Sequence, residues 1–511
     1  MEDDKGQKNG LIMIQIDGLS RTVLRRALEE GRMPFLSNLL RRENYQLSPL
    51  YPGIPSTTPR FQGELFYGIK MIVPAFSFRD HISGRILRLY DPEAAGLLEA
   101  KMEKQHQGLL KYGSSYANCY CGGSKECHFC TVSFGQNRLF RDLDLLKLAA
   151  TAYRFFRAIL KSSLLIVLES VLAFFDFFRG ILSGYSLYKE LKFIPSRIAV
   201  SILLRDLVKD SVIMDLREGR PIVHLNFLGY DEHAHRRGPD SLFALKTLKG
   251  IDAAIAQIWN TAQKEGGRRY SLWIYSDHGQ EKVVHYESEQ GRTLREAVDS
   301  VLYDYEKEKY TSGNHSEKRG IQSLRYSLLG GRIIKKIIGF KVFNNELRRD
   351  KAVVTAVGPL GHLYLAEEPD LEEKRRLGRA LVEKAAIPLV LSIDGKGGIL
   401  AWNRKGEFVL PGQPVEILGA DHAYLQEVAA DLIKLCHQED AGTFVISGWR
   451  AGGTPLSFPI EQGAHGGPGY LETDAFALLP RELFPDHSEA AYIKINELRR
   501  VALSFRSAFE K

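Results

Sequence analysis

Short apolar runs that stop at an acidic residue punctuate this chain. Leu11–Ile16 (LIMIQI) is nearly continuous in apolar side chains, as expected of a strand buried on both faces, and Asp17-Gly18 follows it. Pro221–Leu228 leads in the same way into Gly229-Tyr230-Asp231, and Ser271–Ser276 into Asp277-His278-Gly279. Ser20 can cap a helix that continues to Gly31. Later apolar runs at 352–357, 361–366, 388–393, 397–401 and 442–447 read as further strands, with helices over 371–385 and 421–437. This alternation predicts an α/β fold with a mainly parallel central sheet and helices on both faces. Ligands of such sheets bind beyond the carboxyl ends of the strands, where the acidic and histidine residues fall.

Two segments break the pattern and divide the chain into core pieces at 1–84, 216–292 and 351–511. The first, 85–215, reads as a mostly helical insertion or cap. Its stretch Leu145–Leu182 is apolar but carries Lys161, Glu169, Asp176 and Arg179. The uncharged run between Lys161 and Glu169 is far short of the roughly 20 residues that cross a bilayer. A helical hairpin packed on the body is expected. The alternative is a hairpin in a membrane interface, with Phe155, Phe156, Phe174, Phe175, Phe177 and Phe178 dipping inward. The second segment, 293–350, turns basic from Arg332 onward. It reads as a solvated insertion, with a lid or a contact to anionic lipid over 332–351 as the alternatives.

With 511 residues, 26% of them charged and 44% hydrophobic, the composition is that of an ordinary globular protein. A net charge of +7 is compatible with anionic substrates or an anionic membrane surface and is no nucleic-acid signature. The polar start MEDDKGQKNG lacks the basic and apolar regions of a secretory signal, so a cytoplasmic location, or a peripheral one at the membrane, is expected. Cys119, Cys121, Cys127 and Cys130 are read as reduced cysteines in a loop, with a structural zinc or iron site as the alternative. The preceding 112–118 stretch also reads as a loop.

The chemistry is carried by five segments. In Asp231-Glu-His-Ala-His235 the four-residue step returns His235 to the side of Asp231, so both can meet one metal, with His233 the competing ligand. Asp277 and His278 could share one metal if the backbone turns at Gly279. His465 sits among small residues in Gly463-Ala464-His465-Gly466-Gly467, which suits close backbone approach. In Pro55-Ser56-Thr57-Thr58-Pro59, Thr58 is expected at a helix N-cap with Pro59 first in the helix. The positive helix end there favours phosphate and an alkoxide. With Asp17 these segments supply about the number of ligands that two metals need.

In this order the motifs resemble the alkaline phosphatase superfamily, in particular its type I phosphodiesterase/nucleotide pyrophosphatase branch. The resemblance rests on Asp17-Gly18, Thr58 with Gly68 ten residues on, Asp231-x-x-x-His235-x-x-Gly238-Pro239, Asp277-His278-Gly279 and His465-Gly466-Gly467. It implies a hydrolase of phosphate esters with two divalent ions, zinc or else manganese. Asp17, Asp277, His278 and Thr58 would hold one ion, and Asp231, His235 and His465 the other. Thr58 would attack phosphorus to form a phosphothreonine, with Thr57 as the runner-up nucleophile. The family usually continues the nucleophile with Phe-Pro-Asn, whereas Pro59, Arg60 and Phe61 follow here. Arg60 or Gln62 would then contact the substrate phosphate. An arginine there could neutralise a phosphomonoester, so monoester hydrolysis is the alternative activity. The rival from another class is a membrane-docked binding protein that keeps the fold without turnover.

Overall fold

Side-chain alternation along the first strand splits the interior of this computed structural model into two layers. On Asn9–Ile16, Ile12, Ile14 and Ile16 join a core with Val223, Leu225, Leu272 and Ile274, covered by the Leu242–Glu265 helix through Leu245 and Leu248. Leu11 and Met13 face the opposite core with Ile222, Trp273 and Tyr275, covered by the Thr58–Tyr67 helix through Phe61 and Leu65. A strand with both faces buried needs the continuous apolar run seen at Leu11–Ile16. The described residues are 8–135, 199–312, 352–484 and 492–507. The segments 145–182 and 332–351, and the membrane reading attached to them, lie outside these.

Among the described residues the central sheet has eight strands, in the order Ile493–Lys494, Tyr45–Tyr51, Ala475–Pro480, Arg269–Tyr275, Asn9–Ile16, Ile222–Phe227, Ser114–Tyr116 and Glu126–His128. Only Ala475–Pro480 runs antiparallel to its neighbours; the other pairings are parallel. The expected mainly parallel sheet is therefore present.

The later apolar runs do not extend it. They form a separate six-stranded sheet, from Ala352–Val357 through Leu360–Leu365, Phe444–Ser447, Leu389–Ile393 and Ile399–Asn403 to Gly406–Leu410, and every pairing in it is antiparallel. For two of the pairs the reason is connection length. Gly358-Pro359 and Arg404-Lys405 are two-residue links, and a parallel crossover needs about a dozen residues or more.

Two further expectations are corrected within 85–215. The presumed loop at 112–118 contains a strand, Ser114–Tyr116, which pairs with Ile222–Phe227 and Glu126–His128. Three residues are too few for periodicity to reveal. The four clustered cysteines do not all stay reduced: Cys121, in the loop after Ser114–Tyr116, forms a disulfide with Cys127 of Glu126–His128, and Cys119 and Cys130 are free. Among the described residues, no helix is long and apolar enough to cross a membrane.

The two-sided core makes one prediction. Ile14→Ala, at a position 0% exposed, should cost about 2–5 kcal/mol and lower the thermal unfolding midpoint. Val357→Ala, at 36% exposure on the second sheet, should stay within about 0.5 kcal/mol. Calorimetry or circular dichroism on heating compares the two.

Candidate active site

Three neighbouring parallel strands end together. The register pairs Ile16 with Phe227 and Gln15 with Tyr275, so the residues just beyond them emerge at one edge of the sheet. Asp17 follows the central strand, and Asp277 lies two positions past Tyr275. Asp231 sits in the first turn of the Gly229–Arg237 helix, which starts after Phe227. Gly18 makes their approach feasible. It has φ +68°, and a Cβ there would lie 2.3 Å from Asp231 Oδ1. Its N–H donates to Asp277 Oδ1 at 3.4 Å.

Three imidazoles face these carboxylates, each held from behind. A carbonyl oxygen can only accept, so every Nδ1 that meets one carries its proton and leaves Nε2 as the free donor atom. His278 Nδ1 lies 3.0 Å from Gly279 O, His235 Nδ1 3.0 Å from Gly463 O, and His465 Nδ1 2.9 Å from Ser56 O. His465 comes from far along the chain. A two-residue antiparallel ladder, Gly463 with Lys282 and Ala464 with Glu281, ties its loop to the segment after His278. Gly279 serves close packing there, since a Cβ on it would lie 2.0 Å from Leu471 O.

The free nitrogens converge. His278 Nε2 is 3.2 Å from Asp277 Oδ2 and 3.6 Å from Asp17 Oδ1; His235 Nε2 is 3.4 Å from Asp231 Oδ2; His465 Nε2 is 3.9 Å from Asp231 Oδ1. Donor atoms of Asp17, Asp277 and His278 lie within 4.8 Å of one another, as do those of Asp231, His278 and His465. His278 therefore stands at the junction of the two groups, its ring stacked on His465 at 3.7 Å. His233, the competing ligand, turns away: its Nδ1 bonds Gly229 O and Ser201 Oγ.

The electrostatics suit cations. Burial, then the charges of Asp277 and Asp231, push the Asp17 carboxyl well above its ordinary range. Burial would raise Asp231 too, but the His235, His465 and His278 imidazoles together outweigh it and hold that carboxyl below its usual value. Burial lowers His278, yet Asp277 beside it, with Asp17 and Asp231, carries it up to about 9. Asp277 Oδ2 is fully buried, and the positive group that faces it is His278, whose Nε2 lies 3.2 Å away. Three crowded carboxylates and three oriented Nε2 atoms are a donor set that fits divalent metal ions. These residues could hold a metal.

Thr58 stands at this cluster, with Oγ1 3.4 Å from Asp17 Oδ1 and 3.2 Å from His278 Nε2. The helix begins one residue earlier than expected: Thr57 is the N-cap, in extended conformation, and Thr58 is the first helical residue, ahead of Pro59. Thr57 Oγ1 is buried without a partner.

Arg60 and Gln62 are not brought to the site. Arg60 donates to Pro52 O and pairs with Glu64 at 2.9 Å. Gln62 donates to Gln15 Oε1 and Asn118 Oδ1 and accepts from Cys119 N–H. Their side chains leave other faces of the helix than Thr58 does.

Several supporting residues escaped the sequence reading. Asn226 Nδ2 donates to Asp17 Oδ2 at 2.6 Å, and Gln280 Nε2 donates to Asp231 Oδ1 at 2.5 Å. Glu461 Oε2 lies 3.0 Å from His235 Nδ1. Glu472 accepts from Gly467 N–H beside the His465 loop; burial and nearby Glu281 push its carboxyl up to about 8. Asn226 had a signal, an amide inside the apolar run of a buried strand. The other three had none.

Residues 196–327 match the model of the family described as type I phosphodiesterase / nucleotide pyrophosphatase. The chain is similar to the type I phosphodiesterases. The matched stretch contains Asp231, His235, Asp277 and His278, while Asp17, Thr58 and His465 lie outside it. Among solved structures, phosphonoacetate hydrolase from Sinorhizobium meliloti 1021 bound to phosphonoacetate aligns at 12% identity and TM-score 0.47, over 98% of this chain and 96% of that one. Murine ectonucleotide pyrophosphatase / phosphodiesterase 5 in complex with AMP aligns at 10% identity and TM-score 0.48, over 98% and 95%. No curated protein matches in sequence.

The close approach of Gly18 to Asp231 is testable. Gly18→Ala should displace the Asp231 carboxylate and weaken zinc or manganese binding by about tenfold or more, read by competition with a chromogenic chelator. Unchanged affinity would count against Asp231 as a ligand.

Proposed function

We propose that the chain is a metal-dependent hydrolase of phosphate esters in which Thr58 is the nucleophile. The single observation behind this is the placement of Thr58 Oγ1, between Asp17 and His278 and at a helix N-terminus. Bound divalent ions, zinc by the imidazole-rich donor set or else manganese, would supply Lewis acidity toward phosphate oxygens.

The protein's own groups do the rest. Asp17 Oδ1 accepts the Thr58 hydroxyl proton, and the positive end of the Thr58–Tyr67 helix favours an anion in front of it. The Thr58 oxygen attacks phosphorus, the leaving-group oxygen departs, and the resulting phosphothreonine is cleaved by water. Water has a way in: the side chains of Asp231 and His235 are 19% and 28% exposed, against 0% for Asp277 and His278. The site is thus open on the Asp231 and His235 side and closed behind Thr58.

Diester or pyrophosphate bonds are the substrates this arrangement favours. The arginine that would have neutralised the extra charge of a monoester is held by Glu64 and the Pro52 carbonyl. No cation of the Thr58 helix then remains for that charge.

Thr58→Ala should lower hydrolysis of bis-p-nitrophenyl phosphate roughly a thousandfold or more with metal retained, and Thr57→Ala far less. The intact protein should turn over bis-p-nitrophenyl phosphate with higher kcat/KM than p-nitrophenyl phosphate. A preference for the monoester would overturn the diester reading, and full activity of Thr58→Ala would remove the nucleophile.

A further inference from the structure

We propose that Glu461 is a positioning residue for His235 and supplies, through that imidazole, the negative charge that the Asp231 ligand group otherwise lacks. The inference rests on the metal-dependent reading above. The two groups of donor atoms are unequal in charge. Asp17 and Asp277 bring two carboxylates to His278, whereas Asp231 is the single carboxylate facing His235 and His465. Two carboxylates match the charge of a divalent ion. One leaves half of it unbalanced in a partly buried place.

Glu461 stands behind the poorer group. Its Oε2 lies 3.0 Å from His235 Nδ1, which is also 3.0 Å from Gly463 O. That carbonyl already fixes the tautomer. The carboxylate adds what a carbonyl cannot, a full negative charge on a charge-assisted hydrogen bond. For His278 and His465 the Nδ1 partner is a carbonyl, Gly279 O and Ser56 O. A carboxylate behind a ligating imidazole strengthens the opposite nitrogen as a donor to metal. The extra charge therefore falls on the one histidine whose facing group is short of it.

The carboxylate is held in place from both sides. Its Oε1 accepts from the hydroxyl of Ser457, a residue 0% exposed on the short strand Leu456–Ser457. That strand pairs in parallel with Val284–His285, a few residues after His278. On the other side, Gln462 N–H donates to His235 O at 2.8 Å, which ties the main chain next to Glu461 to the helix of His235. One oxygen thus meets a fixed hydroxyl and the other the imidazole. Among the described residues no lysine or arginine pairs with Glu461, and His235 is its ionic partner. Its side chain is 14% exposed, so solvent and salt screen only part of the charge that reaches the ring.

Glu461→Gln separates charge from shape, because the amide keeps the acceptor oxygen and the size of the side chain. Stepwise zinc binding to metal-free protein, read by competition with a chromogenic chelator, compares this variant with the wild type. Thermal unfolding of both metal-free proteins runs beside it. One of two binding steps should weaken about tenfold or more in Glu461→Gln, with the other step and the metal-free unfolding midpoint at their wild-type values. A second measurement needs no variant: in the zinc-loaded wild type, proton NMR should place the His235 Nδ1–H downfield of those of His278 and His465. Two unchanged steps, equal weakening of both, a lowered metal-free midpoint, or a wild type that binds a single ion would each overturn the proposal. So would a His235 resonance level with the other two. No ester enters these assays. A protein inert on esters that shows the one-step loss keeps this role for Glu461 and loses the hydrolase reading; an active one without the loss does the reverse.

Discussion

Three backbone carbonyls, at Ser56, Gly279 and Gly463, set the chemistry of this molecule by holding one nitrogen of each site histidine. An imidazole has two nitrogens with opposite roles in its neutral form, and fixing the proton on one commits the other. Because all three bonds fall on Nδ1, all three Nε2 atoms face the carboxylates. The carbonyls are themselves placed by larger structure. Gly463 and the His465 loop are aligned by the short ladder to Glu281 and Lys282, and Ser56 lies in the turn before the Thr58 helix. The fold thus orients donor atoms through main chain, which side-chain substitution cannot easily disturb.

The central sheet supplies the other half of the constraint. Parallel pairing in register delivers three strand ends to one edge, and with them Asp17, Asp231 and Asp277. Bringing like charges together under burial is unfavourable, as the raised Asp17 carboxyl shows. The apolar layers on both faces of the sheet offset that cost, and amide donors from Asn226 and Gln280 share it. Three carboxylates still stand close together among the imidazoles, and that crowding favours a cation between them.

The Thr58–Tyr67 helix is fully buried. One end presents a hydroxyl to the ligand cluster. Arg60 pairs with Glu64 on another face, and Gln62 is locked into the amide chain of Gln15 and Asn118. Arg60 and Gln62 were expected at the substrate because they follow Thr58 closely in sequence. Helical rotation of about 100° per residue sends neighbours to different surroundings, so closeness along the chain misled.

The amino-acid sequence alone determined the buried strands, through runs such as LIMIQI that only a two-faced sheet can bury. It also determined which side chains would stand at their ends, because an acid directly after an apolar strand has nowhere else to go. It could not reveal that the later strands form their own antiparallel sheet, although the two-residue links Gly358-Pro359 and Arg404-Lys405 held the clue. Nor could it show which cysteines pair, where Arg60 points, or that Glu461 and Glu472 brace the histidines. The Glu461–His235 contact joins residues 226 positions apart, Arg60 is a choice of helix face, and the disulfide and the Glu472 contact depend on how a loop folds. Local pattern carries no record of them; they arise only when the packed chain brings distant groups within hydrogen-bond reach.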